Sequence, residues 1–350
     1  MRYRELFRVE GLPVFQNKMF SDQALAMQCL TGDMVLVQDM DSGLIFNAAF
    51  DPDLLDYDKD YQNEQAYSPI FREHLTQVGK IIGRNFAHGS IIEVGCGKGY
   101  FLEYLNRLGY RITGVDPAYE GSNPDVIKAC FDQSLGIESE NIILRHVLEH
   151  MWNPLSFLNV IALANGGKGN IYIEVPCFDW ICDHKAWFDI FYEHVNYFRL
   201  ADFKRMFKTI HEAGHVFGGQ YLYVVADLAS LQKPIAGVAD QFEFPSDFLT
   251  GFDRLAAQGR NKRRAVWGGA SKGVIFSLMM QRQGFEIDFL IDINPSKQGK
   301  FVGVTGLQVT SPEEAMCTLE DADDIYIMNS NYLDEIIAMS GNRFNYIKVD

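Results

Sequence analysis

The feature that most constrains the fold is a glycine-rich turn between a short apolar run and a helical pattern. Residues 91–99 read Ile-Ile-Glu-Val-Gly-Cys-Gly-Lys-Gly, and Tyr100–Leu108 continue with helical spacing. Glycines let the backbone turn tightly and approach a ligand closely. A strand, a glycine-rich turn and a helix in this order predict a Rossmann-like α/β fold with a parallel sheet.

The same alternation of buried-strand runs and helical patterns divides the chain. Strand candidates of the first sheet are Ser90–Val94, Ile112–Val115, Ile142–Leu144, Gly169–Val175 and Tyr221–Ala226. A second α/β pattern follows, with strands Ala265–Trp267, Phe289–Asp292 and Ile325–Met328 and a helix from Val274 to Arg282. We predict a small N-terminal lobe (1–75) that ends in a loop-like stretch from Asp51 to Tyr67, a central domain (76–232) and a second, smaller Rossmann-like domain (233–350).

Composition excludes several classes of partner. The net charge of −15 repels polyanions, so nucleic acid is not expected as a partner. The sequence contains no run of 18 apolar residues, so we expect no membrane span, and the first residues do not resemble a signal peptide. The six cysteines form no C-x-x-C pair, which favours a reduced, cytoplasmic protein.

The spacing of the turn indicates its ligand. Glu93, Gly95, Gly97 and Gly99 form Glu-x-Gly-x-Gly-x-Gly, whereas a dinucleotide fingerprint reads G-x-G-x-x-G. A carboxylate just before the turn suits a cationic amino-acid ligand better than a pyrophosphate. We therefore predict S-adenosylmethionine (SAM), which carries an ammonium, a carboxylate and a sulfonium, with S-adenosylhomocysteine (SAH) as product; NAD is the competing ligand.

Further cofactor contacts are expected at the ends of the next strands. Asp116 ends the strand that follows the turn, where a carboxylate can accept both ribose hydroxyls. Phe131 and Asp132 are predicted to end a third strand and to contact the adenine.

Several blocks, taken in order, resemble the sugar C-methyltransferase family, which methylates ring carbons of nucleotide-linked keto-deoxysugars. Besides the glycine-rich turn, they are Asn63–Ser68, Phe71–His74, Arg145–His150, Ile173–Pro176, Trp187–Phe198, Val266–Gly273 and Asp292–Lys300. The resemblance spans roughly residues 60–350. It implies a class I SAM methyltransferase domain, a small-molecule nucleotide-sugar substrate, and a C-terminal domain that carries no cofactor and helps to form the substrate cleft.

The chain departs from this family at its N-terminus. Family members usually open with a zinc module built on two cysteine pairs, but here the region holds Cys29 alone and residues 1–73 contain no histidine. Structural zinc needs about four such ligands, so we predict no metal.

The resemblance also implies a catalytic block. Methylation beside a ketone requires a base, a donor to the enolate oxygen and an aligned methyl group. His194 is the expected base, with Glu193 to orient it or balance its charge, and Tyr192 or Tyr67 as the donor. The family places its catalytic tyrosine close to this Glu-His pair, but Phe191 and Tyr192 precede it here, which leaves the register open. His146 is expected at the methionyl end of the cofactor.

The sequence also allows alternative roles for several histidines and for a second glycine-rich turn. His184 is a second candidate in the same loop region, whereas His211 and His215 have the spacing of helical zinc ligands but are expected to be structural. The turn Gly268–Gly273, followed by Asp292, is also typical of a dinucleotide site; alternatively, a substrate diphosphate meets Lys272, Lys297 and Lys300. The alternative functions are O- or N-methylation of another small polar metabolite, SAM binding without turnover, or a NAD-dependent epimerase or dehydrogenase that holds its cofactor at Gly268–Gly273.

Overall fold

A computed structural model describes residues 2–55, 61, 64–86, 88–251, 255 and 263–350. Residues 56–60, 62 and 63 of the predicted loop, including Asn63 of the first family-like block, lie outside the described residues. In the described ranges no helix has the length and apolar character needed to cross a membrane.

The N-terminal lobe is an antiparallel sheet. Its elements are β1 (Tyr3–Pro13), β2 (Met19–Phe20), α1 (Gln23–Met27), β3 (Thr31–Asp39) and β4 (Ile45–Asn47). Strand β1 pairs with β3, β3 pairs with β4, and residues 196–197 of the central domain pair with β4 as a fourth strand. The central domain therefore contributes an edge to the lobe.

The central domain is a seven-stranded sheet flanked by helices. Its helices are α2 (Pro69–Asn85), α3 (Tyr100–Arg107), α4 (Pro154–Ala164), α5 (Phe178–Asp183) and α6 (Leu200–Met206). Its strands are β5 (Ile91–Val94), β6 (Ile112–Val115), β7 (Val126–Ile127), β8 (Asn141–Arg145), β9 (Asn170–Pro176), β11 (Ile210–Val216) and β12 (Tyr221–Asp227), while β10 (Asn196–Tyr197) belongs to the lobe.

The order of this sheet is β7-β6-β5-β8-β9-β12-β11, and β12 runs antiparallel to both of its neighbours. The remaining pairs are parallel, and the strand order reverses between β5 and β8. In open α/β sheets, ligands bind outside the carboxyl ends of the strands at such a reversal.

The C-terminal part contains a second, fully parallel sheet. Its elements are β13 (Arg264–Trp267), α7 (Lys272–Arg282), β14 (Phe289–Ile291), β15 (Phe301–Val302), β16 (Val309–Thr310), α8 (Pro312–Thr318), β17 (Asp324–Ile327), α9 (Leu333–Met339) and β18 (Asn345–Lys348). The strand order is β16-β14-β13-β17-β18, so this sheet also reverses, between β13 and β17. Strand β15 leaves the sheet and pairs with β2 of the lobe.

One continuous apolar core joins the three parts of the molecule. It includes Leu36 of the lobe, Ile173 of the central sheet and Leu290 of the second sheet, all fully buried. Because the core is shared, the carboxyl edges of the two parallel sheets are held facing one another.

Several predicted elements need correction. Phe131 and Asp132 do not end a strand, because β7 stops at Ile127 and Asp132 instead caps the short helix Gln133–Leu135. His211 and His215 lie on strand β11 rather than on a helix. The predicted boundary at residues 75 and 76 falls inside α2, which begins at Pro69 behind a Ser68 cap.

Candidate active site

The two parallel sheets enclose a cavity of about 390 Å³ at their carboxyl ends. Residues of both glycine-rich turns line it, together with the lobe residues Asn17 and Tyr61 and the loop residues Phe191, Glu193 and His194. The cavity thus lies at the strand-order reversals of both sheets, where α/β proteins bind their ligands.

The first turn leaves room for a ligand. Gly97 has φ +54°, and a Cβ added there would meet no atom within 4 Å. Two hydrogen bonds fix the loop, from the Gly95 amide to Val115 O (2.8 Å) and from the Gly97 amide to Asp116 Oδ2 (2.8 Å). The backbone therefore passes an open space in a fixed conformation, as close approach to a cofactor requires.

Glu93 supplies a buried carboxylate beside this space. It is 3% exposed, and its Oε2 has no hydrogen-bond partner among the described residues. Burial raises the pKa of Glu93 to about 8; the charges of Asp116 and Glu174 add to this effect, and Arg145 opposes it. An unpaired buried carboxylate costs free energy, so an incoming ammonium group is a fitting partner.

The other predicted cofactor residues of this edge lie outside the cavity wall. Both carboxylate oxygens of Asp116 accept backbone amides, of Gly97 and of Ala118 (2.8 Å). Each oxygen retains a second lone pair, so ribose hydroxyls can still be accepted. Phe131 is buried in the core, and the Asp132 carboxylate accepts the Ser134 amide (2.8 Å).

Sequence reasoning missed a buried carboxylate at the end of β9. Glu174 is fully buried and accepts hydrogen bonds from Arg145 Nη2 (3.1 Å) and Tyr172 OH (2.5 Å), while the Nε2 atoms of His74 and His146 lie 3.1 and 3.0 Å from its Oε1. Despite burial, Arg145, His146 and His74 hold the pKa of Glu174 well below its usual range. Glu174 thus fixes two basic groups that line the cavity, Arg145 and His146.

His146 lies between two acids. Its Nε2 contacts Glu174, and its Nδ1 is 3.4 Å from Glu149 Oε1. Burial lowers the pKa of His146, but the two carboxylates outweigh this effect and raise it to about 9. The ring is therefore an imidazolium near neutral pH, and both of its N–H groups face these two acids.

His194 lines the same cavity as a neutral ring. Its centroid is 4.9 Å from that of His150 and 4.7 Å from that of Phe191. Burial and the nearby His150, His146 and Lys272 lower the pKa of His194 well below its usual value. An unprotonated imidazole is the form that can accept a proton.

The Glu193 carboxylate faces the lobe instead of His194. It accepts hydrogen bonds from Tyr61 OH (2.7 Å) and the Gln16 amide (2.9 Å), and burial raises its pKa to about 7. Its backbone oxygen lies 3.0 Å from His150 Nδ1. Glu193 therefore connects the lobe to His150, and sequence reasoning missed Tyr61 and Gln16 because both are distant along the chain.

Tyr192 does not face the cavity, which corrects its expected place at the substrate. Its ring is fully buried and packs against Phe50 (5.4 Å between centroids), and its hydroxyl accepts the Asp51 amide (2.8 Å). A Cβ on Gly32 would lie 2.2 Å from this ring, so the ring fills a space within the lobe. Tyr67 does line the cavity and is 47% exposed.

One group of side chains in the described part of the chain could hold a metal ion. The ligand atoms of Glu149, His150 and His194 lie within 4.8 Å of one another. Three ligands are the number used by catalytic zinc sites, but Glu149 Oε1 already faces His146. The sequence pattern predicted no metal, and this trio differs from the cysteine module considered there.

The second turn lines the cavity but is hydrogen-bonded to the lobe. The Ser271 amide donates to Gln16 O (3.2 Å), and its hydroxyl donates to Asn17 Oδ1 (2.9 Å). Asp292 accepts the Gly269 amide (3.1 Å) and pairs with Lys297 Nζ (3.0 Å). Ser271 of this turn is thus bonded to the lobe, and Asp292 is bonded to the turn and to Lys297.

The remaining candidate side chains are spread more widely. Lys272 and Lys297 line the cavity and are paired with Asp189 and Asp292, whereas the cavity wall does not include Lys300. His184 stacks on Trp180 (4.3 Å) outside the cavity wall. His211 and His215 are exposed on β11.

Known proteins share the central part of the chain. The family model described as "Methyltransferase domain" matches residues 63–211. The C-methyltransferase NovU of Streptomyces niveus is 25% identical over 291 residues, which cover 71% of this chain and 68% of that protein.

Similar solved structures include the PH0226 protein of Pyrococcus horikoshii OT3 (15% identity, TM-score 0.38, 49% of this chain and 99% of that one). Another is the 1,6-didemethyltoxoflavin-N1-methyltransferase of Burkholderia thailandensis (14% identity, TM-score 0.35, 54% and 97%).

The glycine-rich turn and Glu93 lie within the residues that the family model matches. The chain is a SAM-dependent methyltransferase, and SAM is its cofactor. The open space at Gly97 and the buried Glu93 carboxylate fit the amino-acid end of that cofactor.

Proposed function

We propose that this methyltransferase methylates a ring carbon of a nucleotide-linked keto-deoxysugar through an enolate. The observation that carries the proposal is the neutral His194 ring, which lines the same cavity as the cofactor turn. The curated relative is itself a C-methyltransferase, which supports carbon as the acceptor atom.

Different residues of the cavity bind the cofactor and remove the proton. Bound SAM supplies an electrophilic methyl group. Glu93, once it has lost its proton, holds the ammonium group, and His146 lies beside the methionyl end of the cofactor. His194 takes the proton from the carbon beside the ketone, and its Nε2 or Nδ1 carries that proton while the methyl group is transferred.

We also propose which part of the chain walls the substrate cleft and in which compartment the protein works. The second sheet forms the far wall of the substrate cleft, because residues after β13 and β14 line the cavity. All six cysteines are free, which supports a reducing, cytoplasmic setting.

The test uses the full chain with SAM and a panel of nucleotide-linked keto-deoxysugars. We expect one of them to gain a methyl group on carbon, seen by mass and by the carbon–methyl couplings in NMR. His194→Gln should lower kcat by about 100-fold or more, while SAH affinity stays unchanged because the ring is not part of the cofactor turn. His215→Gln, on exposed β11, is the matched control.

Other products would redirect the proposal. Methylation on oxygen or nitrogen would replace it with the alternative transferase class. SAH binding without any product across the panel would favour a SAM-binding protein that does not turn over.

A further inference from the structure

An enolate needs an electrophilic partner for its oxygen, and Tyr192 does not face the cavity. Among the tyrosines of the cavity wall, Tyr61 gives its hydroxyl proton to Glu193 (2.7 Å). Tyr67 is 47% exposed, so water competes for its hydroxyl. A charged donor binds an oxyanion more strongly than a neutral one, which favours the cations of the cavity wall as the donor.

The Lys272 side chain extends from the C-terminal part and contacts residues of the central domain. It is the first residue of α7, and its Nζ lies 2.8 Å from Asp189 Oδ2 and 3.0 Å from Gln220 Oε1. The ammonium also lies 5.2 Å from the centroid of the Trp180 ring. Its side chain is 15% exposed and lines the cavity, so the charge is held in a partly dehydrated position.

The number of its donors leaves one for a ligand. An ammonium group has three N–H donors, and the two contacts with Asp189 and Gln220 use two of them. By contrast, Arg145 is committed to the buried Glu174, and Lys297 is paired with Asp292. Lys272 and His194, the proposed base, line the same cavity.

We propose that Lys272 is a catalytic residue whose ammonium group donates a hydrogen bond to the substrate oxygen that becomes the enolate oxygen. The proposal rests on the proposed function. Asp189 and Gln220 act as positioning residues, because they fix two of the three N–H groups and so aim the third.

The step balances without another reactant. His194 takes the proton from carbon, the C–H electron pair forms a carbon–carbon double bond, and the carbonyl π pair moves to the oxygen that faces Lys272. The π pair of that double bond then forms the bond to the methyl carbon, and the electrons of the sulfonium–methyl bond go to sulfur. The carbonyl is restored, Lys272 keeps its protons throughout, and the His194 imidazolium releases its proton to water.

The experiment separates proton removal from methyl transfer. With the keto-sugar that wild-type enzyme methylates, we measure kcat with SAM and, separately, exchange of the substrate C–H proton with D2O in the presence of SAH. Lys272→Met should lower both rates at saturating substrate by about 100-fold, the usual loss for one oxyanion donor. Lys185→Met, which breaks an ion pair with Asp247 outside the cavity, is the matched control and should change neither.

A loss of activity through misfolding must be distinguished from a loss of the catalytic group. Lys272→Met leaves Asp189 unpaired, so the double variant Lys272→Met with Asp189→Asn is measured beside it, and each must bind SAH as wild type does. Lys272→Arg should retain part of the exchange rate because it keeps the charge.

Failure of the Lys272 role and failure of the proposed function give different results. Exchange within about threefold of wild type in both neutral variants would overturn the role of Lys272, as would a change in KM alone. If the wild-type enzyme neither exchanges nor methylates any keto-sugar, the proposed function fails and Lys272 has no enolate to serve.

Discussion

The two glycine-rich turns of this molecule are built alike but do different work. In each, the amide of the first glycine donates to the last residue of the next strand, Gly95 to Val115 (2.8 Å) and Gly268 to Ile291 (2.9 Å). In each, the following acid accepts an amide of the turn. The shared geometry is thus a way of joining a strand to a helix.

What differs is the space beside the turn and the charge that faces it. Gly97 borders an open space, whereas the atoms of Ser271 are bonded to the lobe. Glu93, a buried acid, lies two residues before the first glycine of the first turn. Val266, a buried apolar residue, lies at the same position before the second turn. A glycine-rich turn therefore binds a ligand only when the rest of the chain leaves the space empty and supplies a matching charge.

The largest expected effect tests the second turn as a structural joint. A Cβ on Gly273 would lie 1.9 Å from Gly268 O, a backbone atom that cannot move aside cheaply. Gly273→Ala should lower the free energy of unfolding by at least about 3 kcal/mol, measured by chemical denaturation, with SAH affinity unchanged in the fraction that folds.

Gly284→Ala is its control. Gly284 has φ +79° and would meet no atom within 4 Å, so only the backbone strain of about 1 kcal/mol is expected. Equal losses in the two variants would show that close packing at the second turn contributes little.

The next largest effect tests the first turn as a ligand site. Gly97→Val fills the open space at φ +54°, and SAH affinity in calorimetry should fall by about 100-fold or more. Gly136→Val, at φ +61° with no atom within 4 Å, carries similar strain away from the cavity and should bind SAH normally. Full affinity in Gly97→Val would place the cofactor elsewhere.

The smallest effect concerns the charge that distinguishes the turns. Glu93, with a pKa of about 8, is mostly protonated at pH 7 and must lose its proton to pair with the ligand ammonium. SAH affinity should therefore rise with pH, by up to about tenfold per unit below pH 8, and level off above it.

Calorimetry at pH 6.5, 7.5 and 8.5 checks this dependence. Glu93→Gln cannot ionise, so its affinity should be weak and nearly independent of pH over that range. A flat profile in the wild-type enzyme would mean that Glu93 does not pair with the ammonium group.

The sequence located the inner strands of both sheets because these strands are largely buried on both faces, but it missed the edge strands β7, β11, β16 and β18. The inner strands are continuous apolar runs, and β5, β6 and β13 lie within one residue of their predicted bounds. Strand β1, in contrast, mixes exposed and partly buried residues over Tyr3–Pro13. Its pattern carried little signal, and the strand was not predicted.

The site was predictable where it depends on local sequence. Glu93, Gly97, His146 and His194 all line the cavity, and each was a candidate from its motif. The partners of these residues were not predictable, because they depend on which strands become neighbours. Arg145 meets Glu174 only because β8 and β9 pair in parallel at that register.

Strand β15 has a consequence for the order of folding. Its residues Phe301 and Val302 pair with Phe20 and Met19, which lie far earlier in the 350-residue chain. Domains generally fold as they leave the ribosome, N-terminal parts first, but contacts between distant residues form slowly. Strand β2 therefore has no strand partner during translation until about residue 300 has been synthesised, so the pairing of the lobe with the C-terminal part is a late step of folding.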